Sequence, residues 1–280
     1  MGDGDYKVSS EIYKEHDYGT SSKPIVDKNN IVSKFCFRYP QYRVSTDPDG
    51  DLIVPRKTSK NTNNAVIEIE HMKSTVLDLV GLQIWRGSLL LADWLIHNHH
   101  SILSSDSYIL ELGSGVGLTS IVASMFAPVF CTDVNKGNLL SIIRSNIERN
   151  KHIVKHAVNV LELNFTEEAL PKDILRNLAK IRIIIAADTV YDDRITDAFV
   201  RTLQLLLSTP PEKCVYVALE KRYVFTIADC ASTAPCYEYF LQRLRQIKNL
   251  KTEDIPLSFP KFFEYERVKE LVLLKITSVL

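Results

Sequence analysis

Charge of one sign is missing from this 280-residue sequence: 34 lysines and arginines face 34 aspartates and glutamates, and the formal net charge is zero. Without a basic excess, tight sequence-independent binding to nucleic acid lacks its electrostatic source, and no direct nucleic-acid contact is expected. Long uninterrupted apolar runs are missing too, so no membrane association is expected, and the polar start Met1-Gly2-Asp3-Gly4-Asp5 does not read as a secretory signal. Tyr6 stands where a myristoylation motif takes serine or threonine. Cys-x-x-Cys pairs are absent. The cysteines, Cys36, Cys131, Cys214, Cys230 and Cys236, are odd in number, and two fall in apolar strand-like runs. Reduced, buried thiols in an intracellular protein explain them better than disulfides or zinc. His97-Asn98-His99-His100 follows a helical pattern and reads as a polar helix end, so no metal site is expected.

What is present is one concentrated signal. The apolar run Tyr108-Ile109-Leu110 leads through Glu111 and Leu112 into Gly113-Ser114-Gly115-Val116-Gly117, and an amphipathic stretch follows from Leu118 to about Phe126. That order predicts a buried strand, a turn stripped of side chains and a helix start. Such a turn lets backbone approach a ligand closely, and the helix adds unpaired N–H donors. Dinucleotide sites favour Gly-x-Gly-x-x-Gly; here the third glycine comes one position early. Glu111 would repel a pyrophosphate, and it suits the charged amino-acid end of S-adenosylmethionine. A second apolar run from Ala127 to Thr132 ends at Asp133, placed to hydrogen-bond both ribose hydroxyls.

Around this turn the chain divides into three parts. Residues 1–34 carry mixed charge and little periodicity and are expected to form a flexible tail. Residues 35–74 form a small β extension packed on the main domain: a hairpin across Asp47-Pro48-Asp49-Gly50, a polar linker over 57–64, and Ala65 to His71 alternating as a half-exposed strand. Residues 75–280 form the main domain, with a helix from Gly81 onward. Strands are predicted at 107–112, 128–133, 155–161, 181–187, 213–219 and 269–276, with helices near 136–150, 166–178, 193–208 and 232–248. Continuous apolar strands such as Ile181 to Ala187 imply an α/β fold around a mainly parallel sheet covered on both faces. Ligands bind beyond strand C-termini in such sheets, so residues closing the strands are the candidates.

Those positions carry chemistry. Asn164-Phe165 follows the third strand with amide groups and an aromatic face for a base. Asp188-Thr189-Val190-Tyr191 closes the fourth, and Glu220-Lys221-Arg222 closes the fifth. Methyl transfer from a sulfonium is an in-line displacement, so a protein contributes mainly positioning and exclusion of water, worth about 7–11 kcal/mol. A lysine acceptor needs carboxylates or π-faces to hold its ammonium, and Asp188 and Tyr191 are placed to bracket one. Burial in a closed site would favour the neutral nucleophile, and solvent can take the proton, so no general base is assigned.

Gln83-Ile84-Trp85-Arg86-Gly87, Glu111 to Leu118, Cys131-Thr132-Asp133-Val134, Asp188 to Asp193, Glu220-Lys221-Arg222 and Tyr265-Glu266-Arg267 together resemble the seven-β-strand (class I) protein lysine methyltransferases of the methyltransferase-like group. The resemblance runs from about residue 35 to the C-terminus. It implies a Rossmann-like seven-stranded sheet with helices on both faces, and S-adenosyl-L-methionine as cofactor. It also implies cofactor contacts from Trp85, Gly113, Ser114, Gly115, Asp133, Phe165 and Ala187, and a substrate-facing Asp188-x-x-Tyr191. Phe165 stands where relatives often carry tryptophan. The partner implied is a protein bearing the target lysine, a nucleic-acid-associated protein or a chaperone, with the nucleus favoured over the cytoplasm; a monomer is expected.

Three other readings compete with this one. Nucleic-acid methyltransferases acting on exocyclic amines usually close the fourth strand with Asn/Asp-Pro-Pro-aromatic, where this chain has Asp188-Thr189-Val190-Tyr191. A non-catalytic binding module would keep the fold without turnover. A NAD-linked oxidoreductase is disfavoured by the glycine spacing and Glu111.

Overall fold

A computed structural model describes residues 7–38, 45–46, 49, 52–53, 64–104, 106–226 and 231–278. At its centre are seven strands: β1 (Tyr108–Leu112), β2 (Val129–Asp133), β3 (Val158–Glu162), β4 (Ile181–Ala187), β5 (Cys214–Glu220), β6 (Leu250–Asp254) and β7 (Leu271–Ser278). Their order across the sheet is β3-β2-β1-β4-β5-β7-β6. The first five run parallel, and β7 lies antiparallel to both β5 and β6. This is the doubly wound sheet expected from the apolar strands. The order reverses between β1 and β4, the position where such sheets open a crevice at their strand ends.

The helices are α1 (Ile12–Glu15), α2 (Arg86–Ile102), α3 (Leu118–Ala123), α4 (Leu139–Arg149), α5 (Lys172–Asn177), α6 (Asp193–Leu207) and α7 (Pro235–Arg245). Two buried clusters form, one on each side of the sheet. One gathers Leu89, Leu91 and Leu95 of α2 with Ile121, Ile143 and Ile185; the other gathers Phe199, Leu203 and Leu206 of α6 with Ile184, Val217 and Phe240. Strands buried on both sides need such uniformly apolar sequences. The stretch Leu77–Ile102 is long and apolar enough to cross a membrane, yet it is 72% buried inside the protein. Residues 77–82 form a separate 3-10 turn, so the helix expected from Gly81 starts only at Arg86.

β6 matches no predicted strand. Leu250-Lys251-Thr252-Glu253-Asp254 is an exposed edge strand with no apolar face to announce it. Pro171 shortens the helix expected over 166–178 to 172–177.

The N-terminal residues depart most from expectation. From residue 7 onward the expected tail is packed structure. Ile12 is fully buried, the Tyr13 hydroxyl accepts from the Ile84 backbone N–H at 2.9 Å, and Ser10 N–H donates to Gln83 Oε1 at 2.9 Å. Single contacts spaced along a polar segment leave no periodicity, which is why the sequence pattern misses them. Ile31–Arg38 pairs antiparallel with Asn64–His71, while Ser45–Thr46 pairs with Leu52–Ile53. Asp47, Pro48, Gly50, the linker 57–63 and Cys230 lie outside the described residues.

The strand 64–71 is not half exposed: Glu68 and Glu70 are buried. Helix α4 covers that face, and two asparagines one turn apart, Asn146 and Asn150, bond both backbone groups of Glu70 and Glu68 at 2.7–3.1 Å. Side-chain amides thereby satisfy strand groups that would otherwise be orphaned. Glu70 pairs with Arg149 at 3.1 Å and accepts from Val26 N–H and Asn30. This fastens the extension to the main domain.

Candidate active site

Beyond the C-terminal ends of β1 to β4 lies a cavity of about 390 Å³, within the usual range for small-ligand sites. Trp85, Glu111, Gly113, Ser114, Gly115, Asp133, Asn164, Phe165 and Ala187 all line it, with Asp188 and Tyr191. Gly117 does not. It caps α3 at φ +88°, where a Cβ would come within 3.2 Å of Ile143.

Two positions in the turn require glycine. Gly113 sits at φ +67°, and a Cβ there would meet Thr189 Cγ2 at 2.7 Å; Gly115 sits at φ +54°, with the Gly81 carbonyl oxygen 3.0 Å from such a Cβ. The left-handed backbone and the close approach both demand glycine. Ser114 N–H donates to the Thr132 carbonyl at 2.9 Å, and Gly115 N–H to Asp133 Oδ2 at 2.7 Å. The turn is thus tied to the end of β2, between the cavity and the sheet.

The two acids that frame the turn differ in their surroundings. Asp133 closes β2, and its Oδ1 accepts from Val134 N–H at 2.7 Å. Each carboxylate oxygen therefore holds one backbone donor and keeps a second lone-pair direction for hydroxyl groups. Burial pushes its pKa up to about 6. Glu111 is only 1% exposed and accepts from the Ser120 hydroxyl. Burial, with Asp133 nearby, pushes it up to about 8, so without ligand at neutral pH it holds a proton. It is a carboxyl roofed by the glycine turn rather than an exposed acid, and a bound cation would favour its ionised form.

The end of β3 behaves differently. Asn164 Oδ1 accepts from Thr166 N–H at 3.0 Å and from its hydroxyl at 2.8 Å, closing its own turn. Phe165 packs against Phe199, ring centroids 5.3 Å apart, and keeps a face on the cavity. Trp85 lies just before α2 and not on it; its Nε1 donates to Val80 O at 3.0 Å, and the Arg222 guanidinium lies 4.7 Å over its ring.

Asp188 adopts a left-handed backbone, φ +51°. Its Oδ2 accepts from Gly87 N–H at 2.7 Å and its Oδ1 from Glu220 N–H at 3.2 Å. Burial raises its pKa to about 6, against the opposing pull of Arg222. The expected bracket for an ammonium is therefore partly spent: Asp188 knits β4, β5 and α2 together at the cavity edge. Tyr191 is 37% exposed and reaches the cavity from the loop after β4.

Sequence reading missed the 3-10 turn, whose residues Asp78 to Leu82 wall the cavity, and Gly87, whose missing Cβ makes room for the Asp188 carboxylate. An isolated glycine inside a helical pattern was the available signal for Gly87. Cys131 is buried, Cys214 and Cys236 are half-buried, and Cys36 is exposed, contrary to the expectation of buried thiols. The histidines 97, 99 and 100 lie on the last turns of α2, with His99 Nδ1 2.9 Å from the Ile96 carbonyl.

A family model described as lysine methyltransferase matches residues 62–247. Methyltransferase-like protein 22 of Mus musculus is 33% identical over 249 residues, 81% of this chain and 63% of that protein. The protein of the same name in Homo sapiens is 36% identical over 236 residues, 76% of this chain and 58% of that protein. Protein-lysine N-methyltransferase EEF2KMT of Mus musculus is 27% identical over 207 residues, 70% of this chain and 58% of that protein. The chain thus spans about three-fifths of the length of these relatives.

Proposed function

Because the chain belongs to the lysine methyltransferase family, matched over residues 62–247, we propose that it is an S-adenosyl-L-methionine-dependent protein-lysine N-methyltransferase. One observation carries the reading. The cavity roofed by the glycine turn shares Val80, Trp85, Asp188 and Tyr191 with a second cavity, so a cofactor on one side meets an acceptor on the other.

The residues present fit that cofactor. Gly113 to Gly115 leave backbone bare where a ligand must approach, Asp133 keeps lone pairs for ribose hydroxyls, and Phe165 offers a face to adenine. Glu111 and the 3-10 turn close the amino-acid end. When bound, the cofactor supplies an electrophilic methyl group on a sulfonium. The protein's part is to align the acceptor nitrogen, exclude water and hold the lysine side chain near Tyr191 and the β5 end. Alignment of this kind accounts for a large share of the acceleration of a displacement.

A protein acceptor fits the zero net charge better than nucleic acid does. On the resemblance, the acceptor is a nuclear nucleic-acid-associated protein or a chaperone. Incubation of the protein with tritiated S-adenosylmethionine and cell extract, treated with ribonuclease or protease, tests the reading. Label in a protein band that hydrolyses to methyllysine is expected; label in nucleic acid, or none, overturns it. Asp133→Ala is expected to abolish cofactor binding by calorimetry, and unchanged affinity would remove Asp133 from the site.

A further inference from the structure

The second cavity, about 470 Å³, is walled by Lys7 to Lys14 of the N-terminal segment on one side and by the ends of β4 and β5 on the other. Behind two of its lining residues, Glu11 and Glu220, is Arg86, with three carboxylates around it. Arg86 Nε donates to Glu15 Oε1 at 2.8 Å, Arg86 Nη1 donates to Glu220 Oε1 at 2.7 Å, and Glu11 Oε2 lies 3.8 Å from Nη1. Arg222 donates to Glu11 Oε1 at 3.3 Å. Glu11 and Glu220 line the cavity, as does Asp188.

Two oxygens remain over. Glu220 Oε2 is shielded from solvent with no hydrogen-bond partner among the described residues, and Glu11 Oε2 has only Arg86 Nη1, at 3.8 Å. A buried carboxylate oxygen left without a donor costs on the order of 1–3 kcal/mol or more, and native structures rarely tolerate one without a ligand or a function. Counting Asp188, the carboxylates here outnumber the guanidinium groups, so the missing partner is a cation with N–H donors. Lys7 and Lys14 also line the cavity and stand exposed. Glu220 lines the cavity while Arg86 holds its Oε1. Asp188 lines the cavity too, with one backbone N–H on each of its oxygens.

We infer that Glu220, helped by Glu11 across the cavity, receives the ε-ammonium of the target lysine, and that the N-terminal segment is a wall of the acceptor site. This rests on the protein-lysine reading above. It gives the Arg86–Glu15 pair a positioning role: by bonding Glu220 Oε1, Arg86 fixes the carboxylate and leaves Oε2 for the acceptor.

The test uses the whole chain saturated with S-adenosylhomocysteine, and n-butylammonium as a lysine side-chain probe beside neutral n-butanol. Trp85 lines both cavities and reports by fluorescence, while the other tryptophan, Trp94, is buried against Tyr216. Saturable binding of n-butylammonium but not of n-butanol is expected. Glu220→Gln should weaken it roughly tenfold or more, as loss of a buried charge partner does. Glu11→Gln should weaken it less, and neither should change S-adenosylhomocysteine affinity. Equal affinity of wild type and Glu220→Gln for the ammonium, equal affinity of wild type for both probes, or no saturable binding by wild type overturns the inference. If Glu220→Gln does not fold, Glu11→Gln decides, since it lies half-buried at the start of the short α1; undiminished ammonium binding there overturns the shared site. The two readings fail separately. Methyllysine formation with an unaffected Glu220→Gln sinks only the Glu220 assignment, and Glu220-dependent ammonium binding without methyllysine sinks only the enzymatic one.

Discussion

The Asp188 carboxylate accepts a 2.7 Å hydrogen bond from the backbone N–H of Gly87, 101 residues earlier in the chain. A Cβ on residue 87 would lie 2.5 Å from Asp188 Oδ2, so the acid can hold this position only because residue 87 is glycine. The bond joins the start of α2 to the end of β4 at the boundary shared by the two cavities.

Gly87→Ala is therefore expected to act against helix propensity. In an open helix, alanine for glycine stabilises by about 1 kcal/mol. Here the added methyl displaces the Asp188 carboxylate, so the melting temperature should fall and methyl transfer should drop by roughly tenfold or more, while cofactor affinity stays close to wild type. A higher melting temperature with full activity would show that Asp188 does not need this seat.

Asp93 is the second buried acid with a structural role. Its Oδ1 accepts from Phe262 and Phe263 N–H at 2.8 and 3.0 Å, and its Oδ2 from the Tyr265 hydroxyl at 2.9 Å and Arg267 Nη2 at 2.7 Å. It is fully buried on α2. Asp93→Ala would leave two backbone donors unmatched and take from the Arg267 guanidinium its carboxylate partner, with an expected loss of about 3–5 kcal/mol in urea unfolding. A loss below about 1 kcal/mol would show that water replaces the carboxylate.

Glu111 predicts a pH signature. Its folded pKa, about 8, stands above the ordinary 4.5. Between those values the folded state keeps a proton that the unfolded chain has lost, so stability falls as pH rises through this window. Asp133 and Asp188, raised to about 6 from 3.8, add the same sign of slope at lower pH. Glu111→Gln removes its share, so between about pH 6 and 8 the melting temperature of the unliganded variant should flatten relative to wild type. Parallel profiles would mean that Glu111 is ionised in the folded protein.

The sequence by itself determined the sheet and the ligand end of it. Apolar runs such as Ile183 to Ala187 point to buried strands, and a glycine turn framed by Glu111 and Asp133 points to a ligand. These signals are local, written in residue type and spacing. Only the tertiary structure brought Glu11, Arg86 and Glu220 together. Nothing in Glu11, Arg86 or Glu220 taken singly marks a site, because the meaning of each lies in a partner 71 to 134 residues away. The same holds for Glu68 and Glu70, whose alternation predicts exposure until α4 covers them. Burial of a charge is a property of what packs over it, and a pattern within one segment cannot carry that.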